Sequence, residues 1–200
     1  MKHPTGTSLV TLTVWLASCA LATTASAKDT LIDLNNARVG GYGGPVFKSS
    51  KIQNEQTFEI GGSGGATFTT GKHSILLGGA GFGLVNELNW GSAEKLEMGY
   101  GGFLLGYTYN PEALVHVDTQ LLLGAGGATV IDPDDASASS DVGTFLITEL
   151  TTQVDVNVTD FMEIGLGASY RWASNPSIDG LSAGDLSKPG FFISFQFGSL

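Results

Sequence analysis

Beyond residue 36, apolar and polar residues alternate one by one through most of the chain. That is the period at which successive side chains of a β-strand point to opposite faces. Taken at that period, the sequence predicts eight strands: 37–46, 57–69, 74–85, 96–109, 113–127, 143–157, 161–173 and 190–198. Most reach the ~9–11 residues that a tilted strand needs to cross a bilayer, where soluble sheets use ~5–6. After the first 27 residues no stretch approaches the ~18–20 unbroken apolar residues of a membrane helix.

The connections follow an order of their own. Those at 70–73, 110–112 and 158–160 are short, whereas those at 47–56, 86–95, 128–142 and 174–189 are long and polar. Long and short are expected to alternate along the whole chain, as in a barrel with short periplasmic turns and longer external loops. The fold class expected is therefore all-β, an eight-stranded antiparallel up-and-down transmembrane barrel over residues 37–200.

Face chemistry sharpens this expectation. The seventh strand sets Met162, Ile164, Leu166, Ala168, Tyr170 and Trp172 against Glu163, Gly165, Gly167, Ser169 and Arg171. The fifth sets Val115, Val117, Thr119, Leu121 and Leu123 against His116, Asp118 and Gln120, and the sixth sets Leu146, Leu150, Val154 and Val156 against Glu149, Thr151, Gln153 and Asp155. In the eighth, Phe191, Ile193, Phe195 and Phe197 oppose Ser194 and Gln196. Every charge in these four strands lies on the polar face. A Lys or Arg facing lipid at mid-depth costs ~2–4 kcal/mol, which explains the partition if the apolar face is outermost. Alternation alone leaves the opposite choice open, a soluble β-sandwich or calycin-like barrel with the apolar face inside. Aromatic placement favours the membrane reading. Tyr107, Tyr109, Phe195 and Phe197 fall at one end of the apolar face and Tyr170 and Trp172 at the other, as two lipid-facing girdles.

Residues 1–27 fit a cleaved secretory signal: Lys2, the apolar run 9–16, and the small-residue site Ala25-Ser26-Ala27. Residues 28–36 form a short segment before the first strand. A competing reading makes Leu16-Ala17-Ser18-Cys19 a lipoprotein signal with Cys19 lipidated. Cleavage after Ala27 leaves a mature chain without cysteine. The net charge of −10 leaves no basic footprint for nucleic acid.

The region from residue 37 to the C-terminus resembles the small eight-stranded outer-membrane proteins of the OmpA, OmpX and OmpW type, in topology and alternation. The last strand, Gly190-Phe191-Phe192-Ile193-Ser194-Phe195-Gln196-Phe197, is similar to the aromatic final strand that the outer-membrane assembly machinery reads in such proteins, although this chain ends Gly198-Ser199-Leu200. The resemblance implies an outer-membrane location, outer-membrane lipid and the barrel-assembly machinery as partners, and a monomer.

Glycine, 29 of 200 residues, clusters once per strand at 40–44, 61–65, 78–83, 99–102 and 124–127. No helical pattern follows any cluster, so these are expected to serve curvature and close packing rather than phosphate binding. Abundant glycine in the lumen would leave some interior space.

Glu59, His116, Asp118, Glu149, Asp155, Glu163 and Arg171 are expected to form a polar network in the lumen, with Glu149 and Arg171 as neighbours. The alternative is a lipid-deacylating centre at His116, which needs a serine within hydrogen-bond reach, and none faces the lumen beside it on its own strand or the fourth. His3, His73 and His116 make no metal-ligand spacing, and no cofactor is expected. Asp132-Pro133-Asp134-Asp135 with Asp141 forms an acidic external loop, solvated or calcium-binding. The function expected is a non-enzymatic outer-membrane barrel, structural or surface-interacting. The alternatives are a narrow conduit for small apolar molecules, a lipid-modifying enzyme, or a soluble periplasmic ligand-binding barrel.

Overall fold

A computed structural model describes residues 36–53, 55–90, 94–131, 141–178 and 180–199. The segment expected as a signal, with Cys19 and Ala25–Ala27, and the acidic run Asp132–Asp135 lie outside the described residues.

The strands are β1 (Arg38–Ile52), β2 (Glu55–Thr70), β3 (His73–Leu84), β4 (Leu88–Trp90), β5 (Glu94–Tyr109), β6 (Val115–Ile131), β7 (Asp141–Thr159), β8 (Met162–Ala173) and β9 (Pro189–Ser199), with a single helical turn α1 (Ala183–Leu186) before β9. Each long strand pairs antiparallel with its neighbour in sequence. β1 pairs β9 and β3 pairs β5, so eight strands close into a ring, and β4 folds back on the start of β5. Closure removes the unpaired strand edges that an open sheet would expose.

One end of the ring holds the start of β1, the end of β9 and three turns. Two of these turns use left-handed backbone, at Gly71 (φ 57°) and Asn110 (φ 57°). The opposite end holds the other connections. The first of them is not the long loop expected at 47–56. β1 runs on to Ile52 and β2 starts at Glu55, with Gln53 left-handed (φ 52°). The reason lies in the side chains: Val46, Lys48, Ser50 and Ile52 continue the inward row although Lys48 and Ser50 are polar. Strict alternation of long and short connections therefore fails at this hairpin.

The 174–189 connection departs from expectation as well. It is a folded cap, with Ile178, Leu181 and Leu186 buried against Ile52, Leu96, Met98, Phe145 and Ile147 at the hairpin end of the interior. Ser182 and Asp185 form a capping box at α1, and Ala183 N–H donates to Asn175.

The two faces of the barrel wall differ as the sequence alternates. Outward-facing Leu166 and Phe191 are 67% and 72% exposed, whereas inward-facing Glu59 and Arg171 are 1% and 2% exposed. In a soluble barrel the polarity would be reversed.

Candidate functional site

The interior charges fall into two clusters stacked along the barrel. The first lies just beneath the apolar cap. Arg171 (β8) donates from Nη1 to Glu59 Oε1 on β2 (2.9 Å) and from Nε to the Leu186 carbonyl (2.9 Å). Lys48 (β1) ion-pairs with Glu149 (β7), and its Nζ sits 3.8 Å from the centroid of the Phe82 ring. Tyr100 (β5) joins the two pairs. Its hydroxyl accepts from Lys48 Nζ at 3.1 Å and lies 2.7 Å from Glu59 Oε2 and 3.0 Å from Glu149 Oε2. Its ring lies under the Arg171 guanidinium at 4.9 Å. Two cations and two carboxylates balance, which is the condition under which buried charges are tolerable.

Glu149 and Arg171 are cross-strand neighbours in register, yet each finds its counter-ion on β1 or β2 across the lumen. Lys48 and Tyr100 were missed at the sequence level. Lys48 lies in the stretch 47–56 expected as a loop, and Tyr100 lies within a glycine cluster. The available signal was parity: both residues occupy inward positions of a continuing period-2 row.

The second cluster lies toward the end that carries the chain termini. Gln120 Nε2 donates to Asp118 Oδ2 (2.6 Å), and Asp155 accepts from Gln153 Nε2 (2.9 Å) and Gln196 Nε2 (3.0 Å). Glu163 Oε2 is 3.9 Å from His116 Nε2, and His116 Nδ1 is 3.2 Å from the Ala113 carbonyl. Neither ring nitrogen therefore meets a hydroxyl. Ser74 lines the same small cavity, but its hydroxyl pairs with Thr69 at 2.9 Å. This is not the serine–histidine contact that acyl transfer requires. Among the described residues, no group of three or more His, Cys, Asp or Glu is arranged to hold a metal ion.

Little free volume remains between these side chains. The cavity between the clusters, lined by Lys48, Phe82, Gln120 and Glu149 among others, measures about 30 Å³, and the one beside His116 and Asp118 about 20 Å³. Each has room for one or two waters and nothing larger. The expectation of interior space from lumen glycines is thus corrected: Gly79, Gly81, Gly83, Gly99 and Gly127 belong to the outward-facing row. Inward glycines such as Gly44 sit where a neighbouring strand presses close, and a Cβ there would lie 1.8 Å from the Phe195 carbonyl oxygen.

The six aromatic residues expected as girdles are all on the outer surface. Tyr107, Tyr109, Phe195 and Phe197 lie toward the termini end, and Tyr170 packs on Trp172 (ring centroids 4.7 Å apart) toward the other.

A closed ring of eight antiparallel strands, apolar outside and ion-paired inside, is the fold of the small outer-membrane β-barrels. Solved structures agree. The chain superimposes on Neisserial surface protein A with a TM-score of 0.56 and 11% identity, covering 82% of this chain and 99% of that one. On Ail, the attachment invasion locus protein of Yersinia pestis in complex with the heparin analogue sucrose octasulfate, the TM-score is 0.51 with 12% identity, covering 81% and 98%. No protein-family model matches the chain, and no curated protein matches it in sequence.

Proposed function

We propose that this chain is an integral outer-membrane protein, exported by its first 27 residues, that crosses the bilayer as eight strands and acts by structure and surface contact rather than by conduction or catalysis. The observation that carries the reading is the inverted wall, with aliphatic and aromatic side chains exposed outside and charges buried inside. In this orientation the termini end is periplasmic, the cap and the β1–β2 hairpin are external, and the two aromatic groups sit at the interfaces. A 16-residue strand such as β5 rises about 50 Å and, tilted by ~40°, spans about 40 Å along the barrel axis. The apolar band of such barrels is only ~25 Å tall, so the surplus projects outward as a contact surface. The polyanion seen with Ail is not carried over. The described charges at the external end set Lys51, Lys95 and Lys188 against a larger acidic group, Glu55, Glu87, Glu97 and Asp185.

Fractionation tests the proposal. The protein is expected in the outer-membrane pellet, resistant to salt and soluble in detergent, with gel migration that changes on boiling. Release by high salt without detergent would overturn it.

A further inference from the structure

Near the termini end, the outer surface carries a groove of about 250 Å³ between β3, β5, β6 and β7. Its walls are Ile75, Leu105, Tyr107, Leu121 and Leu150, and Thr119 forms its floor. The floor is low because Thr119 and Thr152 oppose each other on the outward face, their hydroxyls 3.4 Å apart, where flanking positions carry longer side chains.

The lip nearest the termini is polar. His73 Nδ1 lies 2.7 Å from the Tyr107 hydroxyl, and the His73 ring meets Tyr109 edge-on at 5.8 Å. A tyrosine O–H donating to Nδ1 leaves the other imidazole nitrogen as the protonated one, able to donate. Next to it in the turn is Lys72, exposed. Among the described residues at this end, Arg38 is taken up by Glu112 at 3.0 Å, whereas no carboxylate pairs with Lys72.

An apolar trough therefore runs from the apolar band to a lip offering an ammonium, an imidazole N–H and a tyrosine hydroxyl. We propose that this groove binds one anionic phospholipid of the periplasmic leaflet, an acyl chain lying over Thr119 and the phosphate held by Lys72, His73 and Tyr109. The inference rests on the membrane reading above, since the groove faces lipid only in that orientation. The occupant follows from charge complementarity: the trough takes a hydrocarbon chain, and its lip takes a phosphate. A zwitterionic lipid gains less, because its own cation competes for the same phosphate.

The test uses the folded full-length mature protein in nanodiscs of mixed phosphatidylglycerol and phosphatidylcholine, with retained lipid read by native mass spectrometry. Phosphatidylglycerol is expected to be retained preferentially, and Lys72→Glu to reduce that preference about fivefold or more, the factor one surface lysine supplies against an anionic lipid. Thr119→Phe, which fills the trough, is expected to abolish retention while preserving heat-modifiable migration. Lys51→Glu, at the external hairpin, is expected to change nothing. Equal retention of the two lipids overturns the proposal. So does an equal effect of Lys51→Glu and Lys72→Glu, or phosphatidylglycerol retention that survives Thr119→Phe. A protein that inserts and shifts on boiling yet shows no preference removes the lipid site alone. A protein that never inserts removes the membrane reading with it.

Discussion

Arg171 ties three parts of the barrel together: Glu59 on β2, the Leu186 carbonyl in the cap, and the ring of Tyr100 on β5. Removing one member of such a buried pair strands the other charge in a medium that cannot solvate it. Glu59→Ala and Arg171→Ala are each expected to cost about 3–5 kcal/mol, measured as the shift in urea unfolding midpoint of the barrel refolded in vesicles. The joint replacement Glu59→Leu with Arg171→Met is expected to cost far less, since two neutral side chains of similar bulk leave nothing unpaired. A double variant as unstable as either single one would contradict this account. Glycines provide a second contrast between inside and outside. At Gly44 an added methyl would overlap the Phe195 carbonyl at 1.8 Å, whereas at Gly83 it would meet nothing within 4 Å. Gly44→Ala is expected to destabilise by at least about 1–3 kcal/mol, as over-packing does, and Gly83→Ala to stay within about 0.5 kcal/mol. The same unfolding assay separates them.

β6 to β9 were legible from the sequence because their inward rows carry the charges and glutamines against an outward row of aliphatic and aromatic residues, and a shift of one residue would expose Glu163 and Arg171 to the outside. β8 departs from its predicted 161–173 by one residue at its start. Two connections were not legible, for different reasons. In the β1–β2 hairpin, inward Lys48 and Ser50 carry the same polarity as outward Ser49 and Lys51, so local contrast vanishes and only the counter-ion Glu149, about a hundred residues on, explains Lys48. The cap 174–189 reads as polar because Ile178, Leu181 and Leu186 are too few to set a period, and their burial comes from residues on distant strands, among them Ile52 on β1, Leu96 and Met98 on β5, and Phe145 and Ile147 on β7. That cap carries its own titrating group. Hydrogen bonds from the Ser182 hydroxyl (2.6 Å) and N–H (3.0 Å) hold the Asp185 carboxyl below the usual carboxylate range. A depressed folded value means that its stabilisation is present above the ordinary ~4 and is lost as pH falls through the folded value. Hydrogen exchange at Ser182 is therefore expected to be slow at neutral pH and to accelerate selectively below about pH 4 relative to the acid-corrected intrinsic rate. Asp185→Asn should weaken that dependence, and an unchanged profile in the variant would assign the effect elsewhere.

For the molecule as a unit, the interior is three stacked layers: an apolar cap, a charge-balanced quartet with Tyr100 at its centre, and an acidic cluster wrapped in glutamines. Each layer blocks water passage by a different means. The cap is packed with apolar side chains, the quartet fills the cross-section with paired long side chains, and the cavities between the clusters and beside His116 measure only about 20–30 Å³. An eight-stranded ring is about the size that side chains can fill, so little rearrangement is needed to keep it shut. Purified protein in planar bilayers is accordingly expected to give no steady current. Removing the cap, by replacing residues 176–187 with a short glycine–serine linker, should still give none, because the quartet beneath it remains. Opening is expected only when the cap deletion is combined with Tyr100→Ala and Lys48→Ala and with Gln120→Ala and Gln153→Ala, which take the bulk out of the quartet and of the lower layer together. A steady ohmic current from the unaltered protein would contradict the layered closure, and a current from the cap deletion alone would show that the quartet does not seal the barrel.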